Sequence, residues 1–97
     1  MHKMAMIAYN EAVEDEVMET LNTCSLSNFT KIPGVFGRGA SSGTHLGTDI
    51  WPGRNNLLLV VGSEKETKQL LGCVRSLRAK AGKEGVKAFV LAVEEIT

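Results

Sequence analysis

The chain has 97 residues, 43% of them apolar, and its eleven basic residues balance eleven acidic ones. That length is one small domain, a size that often gains stability by oligomerising, and the even balance excludes the strong basic excess of a nucleic-acid-binding surface. No run approaches the roughly 20 apolar residues of a membrane span. The start Met1-His2-Lys3-Met4 leads into too short an apolar stretch for a signal peptide. A cytoplasmic protein without nucleic-acid partner or membrane insertion is expected.

Lys3 to Tyr9 is apolar and of strand length. Asn10 is placed to cap a following helix, and Glu11, Glu14 and Asp15 put negative charge on its first turn, where the helix dipole favours it. Val13, Val17, Leu21 and Cys24 then recur at helical spacing, which predicts one apolar helix face ending near Ser25. A second strand is predicted from Asn28 to Phe36. Pro33-Gly34 interrupts it, and because proline removes a ladder donor and glycine tolerates a bulge, this strand should bend or lie at an edge.

Residues 37–55 have neither helical nor strand periodicity. They hold the chain's one Trp, one of its two His, two Arg and five Gly. Structureless connections of this length inside a small domain are usually functional or disordered. Glycine lets a backbone approach a ligand, and arginine clamps planar anions, so a binding element is expected.

Asn56 to Gly62 is an almost continuous apolar run, the pattern of a central strand. Ser63-Glu64-Lys65-Glu66 reads as a capping box opening a helix to about Ala81, with Leu70, Leu71, Val74, Leu77 and Ala81 on its apolar face. Gly82 is placed to end it, and Val86 to Val93 is the last strand. The order is βαββαβ, an α+β ferredoxin-like arrangement: a four-stranded antiparallel sheet with two helices on one face, forming a single domain over 1–97. Leu57, Leu59 and Val61 alternate with Leu58 and Val60, and Phe89, Leu91 and Val93 alternate with Val90 and Ala92. Both sheet faces are therefore apolar, and the face without helices should pack on further copies of the chain.

Three stretches resemble the PII signalling superfamily, whose members are homotrimeric ferredoxin-like proteins that read adenine nucleotides and small metabolites at subunit clefts. Val35-Phe36-Gly37-Arg38 is similar to the start of the family's T-loop. Gly82-Lys83-Glu84-Gly85 followed by Lys87 is similar to its phosphate-contacting B-loop, and Phe89-Val90-Leu91 with Val93-Glu94-Glu95 to the strand that follows. There are departures. The loop has no Tyr between Gly37 and Asn55, so control by uridylylation is not expected. Gly39 stands where the family has a Gln, Ala81 where it has a Thr, and the sequence ends at Thr97, before the family's pair of phosphate-binding arginines. The CutA proteins share the trimeric scaffold and form a competing resemblance.

The candidate ligand-binding residues are Gly37, Arg38, Gly39 and Arg54 at the two ends of the loop, and Gly82, Lys83, Gly85 and Lys87 at the turn. Successive amides in a glycine turn and flanking lysines suit an anion; equally, both glycines suit a plain helix end and tight turn, and the arginines a solvated surface. Thr44, His45, Asp49 and Trp51 are candidates for contact with a partner protein, although Trp51 also suits packing of the loop onto its own scaffold. His45 is the candidate metal ligand, with Asp49 four residues on, and a three-fold assembly would gather three copies. Cys24 and Cys73 are expected to be free, buried thiols, with a disulfide or a redox role as the other readings.

No nucleophile–base pair is visible, so no enzyme is expected. What the residues and the resemblance imply together is a non-catalytic PII-like signal-transduction protein, divergent from the standard nitrogen regulatory proteins of the family. It would bind a small anionic ligand, an adenine nucleotide such as ATP, ADP or AMP, at subunit clefts of a homotrimer. It would act on a transporter or enzyme through the 37–55 loop. The alternative is a CutA-like metal-binding protein using His45.

Overall fold

The computed structural model describes residues 1–24, 26, 28–36, 54–81 and 85–97. Strand β1 spans His2–Asn10 and is followed by one 3-10 turn, Glu11–Val13, and helix α1, Glu14–Thr23. Strand β2 is Thr30–Val35, β3 is Asn55–Ser63, helix α2 is Glu64–Ala81, and β4 is Val86–Ala92. The strands lie in the order β2-β3-β1-β4, and every neighbouring pair is antiparallel. This is the ferredoxin-like sheet predicted from the chain order.

Local chemistry explains each element. Asn10 Oδ1 accepts the Ala12 amide at 2.9 Å, so the chain leaves β1 directly into the 3-10 turn. The capping box forms in full: Ser63 Oγ accepts the Glu66 amide at 3.0 Å, and Glu66 Oε1 accepts the Ser63 amide at 2.8 Å. Thr67 is buried but satisfied, its hydroxyl donating to the Ser63 carbonyl at 3.0 Å. In β2 the register shifts between Ile32 and Val35, which places the expected irregularity at Pro33-Gly34, and Gly34 sits at φ 69°, a conformation that suits glycine. The strand lies at the sheet edge, where a proline costs little pairing.

The core lies between one sheet face and the helices. Ala5, Ile7 and Tyr9 of β1, Leu58 and Val60 of β3, and Val86 of β4 meet Val17 and Leu21 of α1 and Leu70, Val74 and Leu77 of α2. The opposite face is left uncovered by the described residues. Register brings Met6 beside Leu59 and Phe89, and Met4 beside Val61 and Leu91. Val61, Phe89 and Leu91 are 48%, 45% and 43% exposed. Among the described residues β3 is thus packed on one side only. No helix among the described residues is long and apolar enough to cross a membrane.

One expectation is overturned. Cys24 and Cys73 are not free thiols: they form a disulfide that ties the end of α1 to the middle of α2, with Cα atoms 6.7 Å apart. Helical spacing places Cys24 on the apolar face of α1 and Cys73 within an apolar-periodic segment. It does not show how the two helices are set against each other, and that relative placement is what brings the sulfurs together.

Candidate functional site

The end of β1 organises the site region. Asn10 lies between the two chain segments that hold the anion-binding candidates. Its backbone N–H donates to the Gly85 carbonyl at 2.9 Å, and the next amide, that of Glu11, donates to the Arg54 carbonyl at 3.0 Å. The root of the 37–55 loop and the root of the 82–87 turn therefore share one end of the sheet, one on each flank of β1.

The side chains are arranged less simply. Arg54 is exposed and leans toward β2: its Cδ lies 3.5 Å from where a Cβ on Gly34 would stand. Lys87 is exposed on the uncovered face, opposite Ala8 in register. Gly85 is buried and does not use the left-handed backbone region. A Cβ added there would meet Val13 at 3.7 Å, an ordinary contact, so the backbone at Gly85 does not require glycine. Gly37, Arg38, Gly39, Thr44, His45, Asp49, Trp51, Gly82 and Lys83 lie outside the described residues. Among those described, no group of three or more His, Cys, Asp and Glu side chains is placed to hold a metal ion.

Behind the loop stem is a polar cluster that the sequence reading did not find. Glu14, at the start of α1, is its hub. One carboxylate oxygen accepts from the Tyr9 hydroxyl and from Asn56 Nδ2 (3.3 Å); the other accepts from Lys31 Nζ at 2.5 Å. Asn56 in turn accepts the Gly34 amide through Oδ1 at 3.2 Å. The cluster joins β1, α1, β2 and β3 at the point where the loop departs. The Lys31 hydrogen bond, then that of Tyr9, holds the Glu14 carboxyl below its ordinary range. Burial first, with the Glu14 carboxylate beside it, pushes the Tyr9 phenol well above its ordinary value. One signal was available in the sequence: Asn56 is a polar residue opening an otherwise apolar strand.

No family model matches the chain, and no curated protein sequence does. Solved structures do match its fold. The apo form of CPII from Thiomonas intermedia K12, a nitrogen regulatory PII-like protein, superposes with a TM-score of 0.68 at 12% identity, covering 93% of this chain and 86% of CPII. CPII bound to ADP, AMP and bicarbonate gives 0.65 at 16% identity, covering 95% and 87%. A PII-like signalling protein from Thermus thermophilus gives 0.59 at 21% identity, covering 93% and 83%. Across nearly its whole length, the chain folds as PII-like proteins do.

Proposed function

We propose that this chain is a non-catalytic, PII-like regulatory protein that binds a small anion of the adenine-nucleotide class at clefts between subunits of a homotrimer. One observation carries the reading: Arg54 and Gly85, the described ends of the loop and of the turn, are held by consecutive amides at one end of the sheet. Its fold neighbours include a protein with ADP and AMP bound. Arg38 and Arg54 would contribute guanidinium groups, and Gly37, Gly39, Gly82, Lys83, Gly85 and Lys87 amides and point charges. The apolar face bearing Leu59 and Phe89 would be covered by the other subunits, which completes the clefts. Ligand in the cleft favours one pose of the 37–55 loop over another, and that pose, through Thr44, His45, Asp49 and Trp51, docks on or releases a transporter or enzyme.

Calorimetry with ADP, AMP and ATP tests it. Binding is expected with at least one of them. Arg54→Ala should weaken it by about tenfold or more, the scale of one charge-assisted hydrogen bond. Absence of heat with all three at millimolar concentration, and of any nucleotide co-purifying with the native protein, would refute the reading.

A further inference from the structure

Cys24 and Cys73 differ in access. Cys24 is 4% exposed and closes α1. Cys73 is half-buried and lines an open groove of about 630 Å³ between the helices, walled by Glu16, Glu19, Thr20 and Thr23 of α1 and by Lys80 of α2. One sulfur of the bridge thus belongs to a residue that borders a groove wide enough for a small molecule, and the other to a residue enclosed in the core.

We infer that Cys24–Cys73 is a thiol–disulfide exchange site, attacked at Cys73 Sγ by a thiol or dithiol reductant that enters the groove. A thiolate of the reductant forms a bond to Cys73 Sγ. The Cys24–Cys73 bond breaks, its electron pair leaves on Cys24 Sγ, and that sulfur takes up a proton. The second thiol of a dithiol then attacks the reductant's own sulfur in the mixed disulfide and releases Cys73, so two electrons and two protons pass from the dithiol to the bridge. The groove walls carry two carboxylates against one ammonium group, which favours a neutral reductant over an anionic one.

Reduction has a defined structural consequence. Besides the bridge, the described residues at the end of α1 are held by backbone hydrogen bonds that include Cys24 N–H to the Thr20 carbonyl at 3.0 Å and Leu26 N–H to the Leu21 carbonyl at 3.1 Å, and by the burial of Leu26. The chain then enters β2, an edge strand that among the described residues pairs with β3 alone and is broken in register near Gly34. Opening the bridge loosens the α1 end together with this strand, and β2 is the strand from which the 37–55 loop departs.

The test uses the whole chain under native conditions. Oxidised protein is incubated with dithiothreitol or with glutathione buffers, quenched with iodoacetamide and weighed by mass spectrometry. Two adducts should appear together without denaturant, and faster with dithiothreitol. In the single variants Cys24→Ser and Cys73→Ser, the thiol at Cys73 should react with a disulfide reagent at least tenfold faster than the thiol at Cys24. Amide exchange at Cys24, Leu26 and β2 should speed up at least tenfold on reduction of the wild-type chain. A bridge that opens only in denaturant, or thiols that oxidised glutathione fails to join, would overturn the exchange site. Equal thiol rates would overturn attack at Cys73, and unchanged amide exchange would overturn the coupling to β2. Because the wild-type titration and exchange do not depend on the variants folding, the outcome is decisive even if either variant does not.

Discussion

Asn56 Oδ1 accepts the Gly34 amide at 3.2 Å, so a buried side chain of β3 supplies the partner that the shift in register takes from the backbone ladder of β2. The same side chain donates through Nδ2 to Glu14 at 3.3 Å. Asn56→Ala leaves the Gly34 N–H without this acceptor and removes a donor from Glu14. It is expected to cost about 1–3 kcal/mol in urea denaturation, the usual penalty for an abandoned polar group. Gly34→Ala should cost about 1–2 kcal/mol through its positive φ alone, because the added methyl would meet Arg54 Cδ at a comfortable 3.5 Å. Gly34→Asn should recover part of that loss. Midpoints unchanged in both Ala variants would show that the stem is not held in this way.

What the sequence revealed follows range. The Ser63–Glu66 box was legible because its partners are three residues apart, and the irregularity at Pro33-Gly34 because both residues carry their backbone limits with them. The two-faced sheet was legible because strand side chains alternate with period two. The Glu14 hub was not: its contacts with Lys31 and Asn56 span 17 and 42 residues and depend on how α1 lies across the sheet. The Cys24–Cys73 bridge failed for the same reason, spanning 49 residues between two helices. Of the anion-binding candidates, Arg54 and Gly85 come to one end of the sheet, whereas Arg54's side chain turns toward Gly34, which residue type alone does not reveal.

The stability of the fold should have an acid limb and an alkaline limb with separate owners. The Glu14 carboxyl is held below its ordinary range chiefly by Lys31, and the Glu66 carboxyl by the Ser63 amide. A depressed folded pKa contributes stability that is fully present above the unfolded value and lost as pH falls through the folded one. Denaturation midpoints should therefore be flat above the ordinary carboxylate value near 4.5 and fall below it, with Glu14→Gln flattening part of the slope. Tyr9 works in the opposite sense. Its phenol is raised by burial, so its contribution is intact below the ordinary value near 10.0 and declines as pH rises beyond it. Tyr9→Phe should lower stability at neutral pH and reduce the alkaline decline. Identical pH profiles for wild type and both variants would show that this cluster does not set the limbs.

The disulfide closes a long loop, with its ends 49 positions apart in sequence. Reduced wild-type protein, and Cys73→Ser in reductant, should each be less stable than the oxidised chain by about 2–4 kcal/mol, the range for bridges that restrict an unfolded chain to this degree. Urea denaturation of all three at one pH measures it. Because Cys24 is buried while Cys73 is half-buried, Cys24→Ser should be the more damaging of the two serine substitutions under reducing conditions: it places a hydroxyl in the core.

The uncovered sheet face gives the most direct check on assembly. Leu59 lies near its centre, opposite Met6 on one side and Thr30 on the other, with Phe89 one strand further across. Burying a side chain of that size against another copy contributes about 1.5–3 kcal/mol per chain. An aspartate in its place would bring one carboxylate per subunit into the same apolar contact. Wild-type protein is expected to sediment as a trimer at micromolar concentration and Leu59→Asp as a single chain. Circular dichroism should stay close to wild type, since the helix-side core of Ile7, Leu58, Leu21 and Leu70 is untouched. A wild-type chain that sediments alone would leave Phe89, Leu91 and Val61 in water and remove the clefts on which nucleotide binding is proposed. A Leu59→Asp trimer would place the subunit contact on a different surface.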